Sequence, residues 1–202
     1  MDRVVLVVCH ANVCRSPLAE FLLRDSFAGL GLQVRSAGAH ARDGMALCAD
    51  VAEFIADSSS GPRFASDFRS VRVRPADTGS GMILAASAAE KSALAQLDPT
   101  TRRRAFTLRE AAMLAEADIH APAAPAVTAA ELAQRWDALR RTGGLTMARN
   151  AGDFDIVDAH AGRRPRHEAT VAGIVEATTR LSHALARDDA SPRSTSLPPA
   201  TS

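Results

Sequence analysis

The chain reads as an α/β fold, a parallel sheet covered by helices on both faces. The apolar run Val4-Val5-Leu6-Val7-Val8 has the make-up of a strand buried on both sides. Along the chain, short apolar runs then alternate with segments of helical spacing, as in strand–helix–strand crossovers. The loop after the first strand leads straight into Pro17, which is well placed to open a helix because its missing amide would be unpaired there.

The elements follow in order. Pro17 to about Leu30 sets Leu18, Phe21, Leu22 and Leu30 near one helical face, and Gly29 and Gly31 can end it. Leu32 to Arg35 is a short second strand that ends in Ser36-Ala37-Gly38. Leu47, Cys48, Val51, Phe54 and Ile55 predict a helix over 44–56, with Cys48 as a core residue, and Ser58 to Phe68 reads as a loop rich in serine, glycine and proline. Met82 to Ala86 is the third strand and Ala88 to Leu97 the helix behind it. Arg104 to Glu110 is a further strand entering a helix.

Ala121-Pro122-Ala123-Ala124-Pro125 reads as a stiff linker. After it Thr128 can cap a helix to about Arg141, with Leu132, Trp136 and Leu139 on one face and Gly143-Gly144 at its end. The lone tryptophan is expected to pack. A last helix, from about Arg166 to Arg187, carries Val171, Ile174, Val175, Thr178, Leu181 and Leu185 as one stripe. Residues 1–187 are therefore expected to form one domain, with 118–150 inserted and 188–202 a disordered tail rich in proline and serine.

The chemistry gathers in Cys9-His10-Ala11-Asn12-Val13-Cys14-Arg15-Ser16. Amides of a loop between a strand end and a helix start can converge on an anion, aided by the helix dipole. The same field favours a thiolate at Cys9, the nucleophilic form. Arg15 offers a planar fork for two phosphate oxygens. Ser16 can donate a hydroxyl to the thiolate, and Asn12 tolerates left-handed backbone and can brace a tight turn.

With its flanks, Val8 to Glu20 resembles the phosphate loop of low-molecular-weight protein tyrosine phosphatases, with only His10 and Ala11 unusual in it. The resemblance implies a four-stranded parallel sheet with the site beyond the strand ends, and a supporting role for Ser36, which could equally be a plain turn serine. It also implies an aspartate before the last helix that protonates the leaving oxygen. Asp158 in Ile156-Val157-Asp158-Ala159-His160-Ala161-Gly162 matches it, although Ala159 stands where the family has proline and His160 where it has an aromatic residue. Asp153 and Asp155 are rivals. The family's histidine near an arginine is missing from Phe68-Arg69-Ser70-Val71-Arg72-Val73, so another network must support the loop. His40, Arg42 and His160 are expected at the pocket rim, in place of the aromatic walls that hold a phosphotyrosine ring.

The expected reaction is hydrolysis of phosphotyrosine-type monoesters through a phosphocysteine on Cys9, with Asp158 as acid and then base. Substrates would be a phosphotyrosine protein or a small phosphate monoester. An arsenate reductase using the same loop, or a non-catalytic phosphate-dependent binding protein, are the alternatives. Cys14, on the same curl, is the expected redox partner of Cys9.

No cofactor or metal is expected, since His10, His40, His120, His160, His167 and His183 show no zinc spacing. A net charge of +1 over 202 residues implies no general attraction to nucleic acid or membrane. Three cysteines make no disulfide framework, and Met1-Asp2-Arg3 leads directly into a strand, so a reducing, cytoplasmic setting is expected.

Overall fold

The structure is a computed structural model that describes residues 1–118, 128–142, 154–160 and 167–189. Its frame is β1 (Val4–Cys9), β2 (Gln33–Gly38), β3 (Met82–Ala85) and β4 (Ala105–Thr107). They form one four-stranded sheet in the order β2-β1-β3-β4, and every pairing is parallel. Between and after them run α1 (Arg15–Gly29), α2 (Ala49–Ile55), α3 (Gly61–Asp67), α4 (Ala88–Leu97), α5 (Leu108–Asp118), α6 (Ala129–Arg141) and α7 (His167–Asp189).

The central strand β1 explains the layering. Its side chains alternate, as any strand's must. Val5 and Val7 join a large core with Leu18, Leu23, Phe27 and Leu181, while Leu6 and Val8 face a smaller one with Ile83 and Leu94. Helices therefore cover both faces: α1, α5 and α7 on one, α4 on the other. The right register brings the C-terminal ends of β1 and β2 together, Cys9 opposite Gly38.

Local chemistry shifts several element boundaries. α1 begins at Arg15, ahead of Pro17, and β2 runs on through Ser36, Ala37 and Gly38 because these pair with Val7, Val8 and Cys9. The helix expected from Gly44 begins only at Ala49. Gly44 takes a positive φ of 85°, and the Cys48 amide is drawn to the Val13 carbonyl at 2.8 Å. The serine- and proline-rich stretch read as loop contains α3, opened by Pro62 and anchored by Phe64, whose ring lies 5.2 Å from that of Phe21.

α6 starts where Thr128 predicts. Thr128 Oγ1 accepts from the Glu131 amide at 3.1 Å, and Glu131 accepts in return from the Thr128 amide at 2.9 Å. Trp136 is packing, as expected: it is fully buried, edge-on to Phe106, and its indole donates to Asp118. α7 extends to Asp189, so the helix includes the first two residues assigned to the tail. The expected linker 121–125, His120, Gly143-Gly144 and residues 190–202 lie outside the described residues.

Candidate active site

Cys9 ends β1 and Arg15 opens α1, so residues 10–14 must reverse the chain in one tight curl. Asn12 makes this possible. It takes a left-handed φ of 54° and its side chain is wholly buried. Its Nδ2 donates to Ser16 Oγ at 3.0 Å and to Ser36 Oγ at 2.8 Å, while Oδ1 accepts from the Val71 amide at 2.8 Å. Ser36 thus braces the loop. The Val71 backbone amide supplies a support that no side-chain motif in Phe68–Val73 announces. Next to it, Ser70 is buried and donates to the Arg42 carbonyl while accepting from the Met45 amide.

Gly38 is required by close approach. A Cβ there would stand 2.8 Å from the Asn12 nitrogen and from the His10 carbonyl oxygen, well inside contact distance. The loop therefore lies directly against the end of β2.

Cys9 Sγ accepts from the Asn12 amide at 3.3 Å and from Ser16 Oγ at 3.0 Å. Arg15, only 4% exposed, turns its guanidinium over the loop. Nη2 lies 2.5 Å from Asp158 Oδ2 and 3.3 Å from Glu90 Oε1, and Nη1 donates to the Ile156 carbonyl at 3.4 Å. The structure thus joins the loop after the first strand to the aspartate before the last helix, 143 residues apart in sequence.

Asp158 sits on a held segment. The Ile156 amide donates to the Ala86 carbonyl at 2.9 Å, Thr170 Oγ1 to the Val157 carbonyl at 2.8 Å, and the His160 amide to Asp158 Oδ1 at 3.0 Å. Ala159, in place of a proline, is buried. Asp155 is spent elsewhere: its carboxylate accepts from the Ala88 amide at 2.8 Å, at the start of α4. Asp153 lies outside the described residues.

A cleft of about 290 Å³ is lined by Cys9, His10, Ala11, Val13, Cys14, Arg15, Asp158 and His160. His40 and Arg42 are not in this lining, contrary to expectation. His40 stacks against His10 at 4.8 Å, one ring removed, because its amide bonds back to the His10 carbonyl. Arg42 reaches the loop's supports only through its carbonyl.

Glu90 went unrecognised in the sequence. It is 4% exposed, holds Arg15 through one oxygen and bonds to Ser87 Oγ through the other. Ser87-Ala88-Ala89-Glu90 has capping-box spacing at the start of α4, but that pattern sends a glutamate to the cap amide and carries no signal for its contact with Arg15.

Cys14, read as the redox partner of Cys9, also has a third cysteine beside it. Its sulfur lies within 4.8 Å of that of Cys48, and this proximity pushes Cys14 up and Cys48 down from their ordinary values, burial opposing the change at Cys48. Cys48 is half-buried just ahead of α2 and packs against the large core, at its edge.

A four-stranded parallel α/β sheet with an anion loop, Arg15 and Asp158 at one strand end defines a phosphate-handling site, and the comparisons agree on its family. Residues 4–124 match the family described as low molecular weight phosphotyrosine protein phosphatase, well over half of the chain. The chain belongs to that family. Over 44 residues it is 50% identical to a probable low molecular weight protein-tyrosine-phosphatase, EpsP, of Ralstonia nicotianae, a match spanning 22% of this chain and 29% of that protein. The fold resembles the YwlE arginine phosphatase of Geobacillus stearothermophilus, with TM-score 0.60, 20% identity, and 93% of this chain and 95% of that one covered. It is equally similar to the Erwinia amylovora tyrosine phosphatase AmsI, with TM-score 0.61, 20% identity and the same coverage. The Escherichia coli K30 tyrosine phosphatase Wzb aligns with TM-score 0.58 and 17% identity over 92% of this chain and 99% of its own.

Proposed function

We propose that the chain hydrolyses phosphate monoesters of the phosphotyrosine type through a phosphocysteine on Cys9. The observation that carries this reading is the contact of Asp158 with Arg15 in the cleft that Cys9 lines. Nucleophile, anion clamp and acid thereby share one space.

The chemistry follows from that arrangement. A phosphate dianion competes with Asp158 for the Arg15 fork, and its binding frees the carboxyl toward the leaving oxygen. Cys9 Sγ attacks phosphorus in line. The S–P bond forms, the P–O ester bond breaks, and Asp158 gives its proton to the departing oxygen. Loop amides and Arg15 hold the three equatorial oxygens. Asp158 then takes a proton from water, which attacks phosphorus, and the S–P bond breaks. The Ser16 hydroxyl, 3.0 Å from Sγ, stabilises the returning thiolate. Glu90 keeps Arg15 aimed at the loop.

Val13 gives the cleft an apolar wall, which suits an aryl group. Phosphotyrosine on a protein, or a small aryl phosphate, is therefore the substrate class. A reducing compartment suits a nucleophilic thiol; among the described residues no helix is long and apolar enough to cross a membrane. The test is turnover of a phosphotyrosine peptide beside phosphoarginine and beside arsenate with small thiols. Tyrosine dephosphorylation is expected to dominate. Faster loss of phosphate from phosphoarginine would move the substrate class to that of the arginine phosphatase, and thiol-dependent arsenite formation alone would make the protein a reductase.

A further inference from the structure

Four side chains from four separate parts of the chain meet beside the cleft: Cys14 ahead of α1, Cys48 ahead of α2, His160 after the acid, and His167 at the start of α7. Their sulfur and nitrogen atoms all lie within 4.8 Å of one another. We propose that these residues form a zinc site, a closed Cys2His2 centre that ties the phosphate loop to the Asp158 segment.

The distances fit the ion. Tetrahedral zinc with Zn–N bonds of about 2.0–2.1 Å puts two nitrogens about 3.4 Å apart, and with Zn–S bonds of about 2.3 Å it puts two sulfurs about 3.8 Å apart. The Nε2 atoms of His160 and His167 are 3.4 Å apart, with their rings nearly perpendicular. Both rings turn the same nitrogen inward, as two ligands to one ion do. The widest pair of atoms needs to close by only about an ångström.

The surroundings fit as well. Asp50 Oδ2 lies 3.5 Å from His167 Nδ1, the outer ring nitrogen. A carboxylate there fixes the tautomer that leaves Nε2 free to bind metal. Cys14 is buried, Cys48 and His167 are half-buried and His160 is exposed, so the ion has an entry path on one side only. Binding converts two thiols to thiolates, releases their two protons to solvent, and leaves a centre of no net charge. Four protein ligands leave no open position, so the role is structural rather than catalytic.

The consequence reaches the active site through the backbone. Cys14 belongs to the phosphate loop, and the His160 amide holds Asp158 Oδ1. The ion thus braces the acid segment where Ala159 gives up the rigidity of a proline. It also engages Cys14 in a metal bond in place of a disulfide.

The test uses the full chain, reduced and stripped of metal, titrated with zinc against a chromophoric chelator and separately with cobalt. One zinc per chain is expected. Cobalt should give the intense visible bands of tetrahedral coordination together with thiolate-to-metal charge transfer. Cys48→Ser and His167→Ala, on different elements, should each lose stoichiometric binding with circular dichroism unchanged in the metal-free state, and Asp50→Asn should weaken it by about 10- to 100-fold. Cys9→Ser should bind as wild type does. Wild-type affinity in Cys48→Ser or His167→Ala overturns the site, as does loss of binding in Cys9→Ser, which would place the metal on the nucleophile. A reduced chain that takes no zinc, yet closes a Cys14–Cys48 disulfide on oxidation, also overturns it.

Discussion

At the scale of single residues, the loop is held by side chains that do not line the cleft. Asn12 is the clearest case, because one buried amide joins Ser16, Ser36 and Val71. Asn12→Ala removes these bonds and a residue suited to φ 54°, leaving donors and acceptors unpaired. A displacement of about an ångström at the reacting atoms is worth roughly a hundredfold in rate. We expect Asn12→Ala to lower kcat by about that factor in steady-state assays. Cys9→Ser should abolish turnover while phosphate and vanadate still bind, as read by calorimetry. Arg15→Lys should lose both, since a point charge cannot take two oxygens as the fork does. If Cys9→Ser retains wild-type turnover, the covalent route is wrong.

At the scale of elements, legibility followed the strength of local signals. α4 and α6 were read with the bounds they have, α6 from its Thr128 cap, and in the structure Ser87 and Thr128 cap them through their own side chains. α2 and β2 were misjudged at their ends because a partner distant in sequence decides them: the Val13 carbonyl draws Cys48 out of the helix, and β1 extends β2 to Gly38. Glu90 shows a subtler failure, in which its helix was found but the direction of one side chain was not. Predictions at this scale concern stability. Thr128→Ala removes the cap of α6 and should cost about 1 kcal/mol. Trp136→Ala opens a cavity against Phe106 and should cost about 3–5 kcal/mol. Both are measured by denaturant unfolding. Neither residue lines the cleft, so turnover of the folded fraction should be unchanged.

At the scale of the whole molecule, the fold brings elements from early and late in the chain together. α7 lies across α1, and the segment before it delivers Asp158 to Arg15. The loop was legible from residues 9–16 alone because its chemistry is contiguous. The Cys14–Cys48–His160–His167 group was not, because four elements assemble it and no sequence spacing records it. Asp158 was singled out by the resemblance, with Asp153 and Asp155 as rivals; in the structure the Asp155 carboxylate caps the start of α4 and Asp158 lines the cleft. The central claim is that this distant carboxyl is the acid for the Cys9 reaction. It is tested most directly by single-turnover rates of phosphoenzyme formation in wild type and Asp158→Asn, with nitrophenyl phosphate and with phenyl phosphate. Loss of a general acid is worth about a hundred- to ten-thousandfold where the leaving group needs the proton. Asp158→Asn should therefore be slowed in that range on phenyl phosphate and hardly at all on nitrophenyl phosphate. The same dependence on leaving group in both proteins would contradict the assignment.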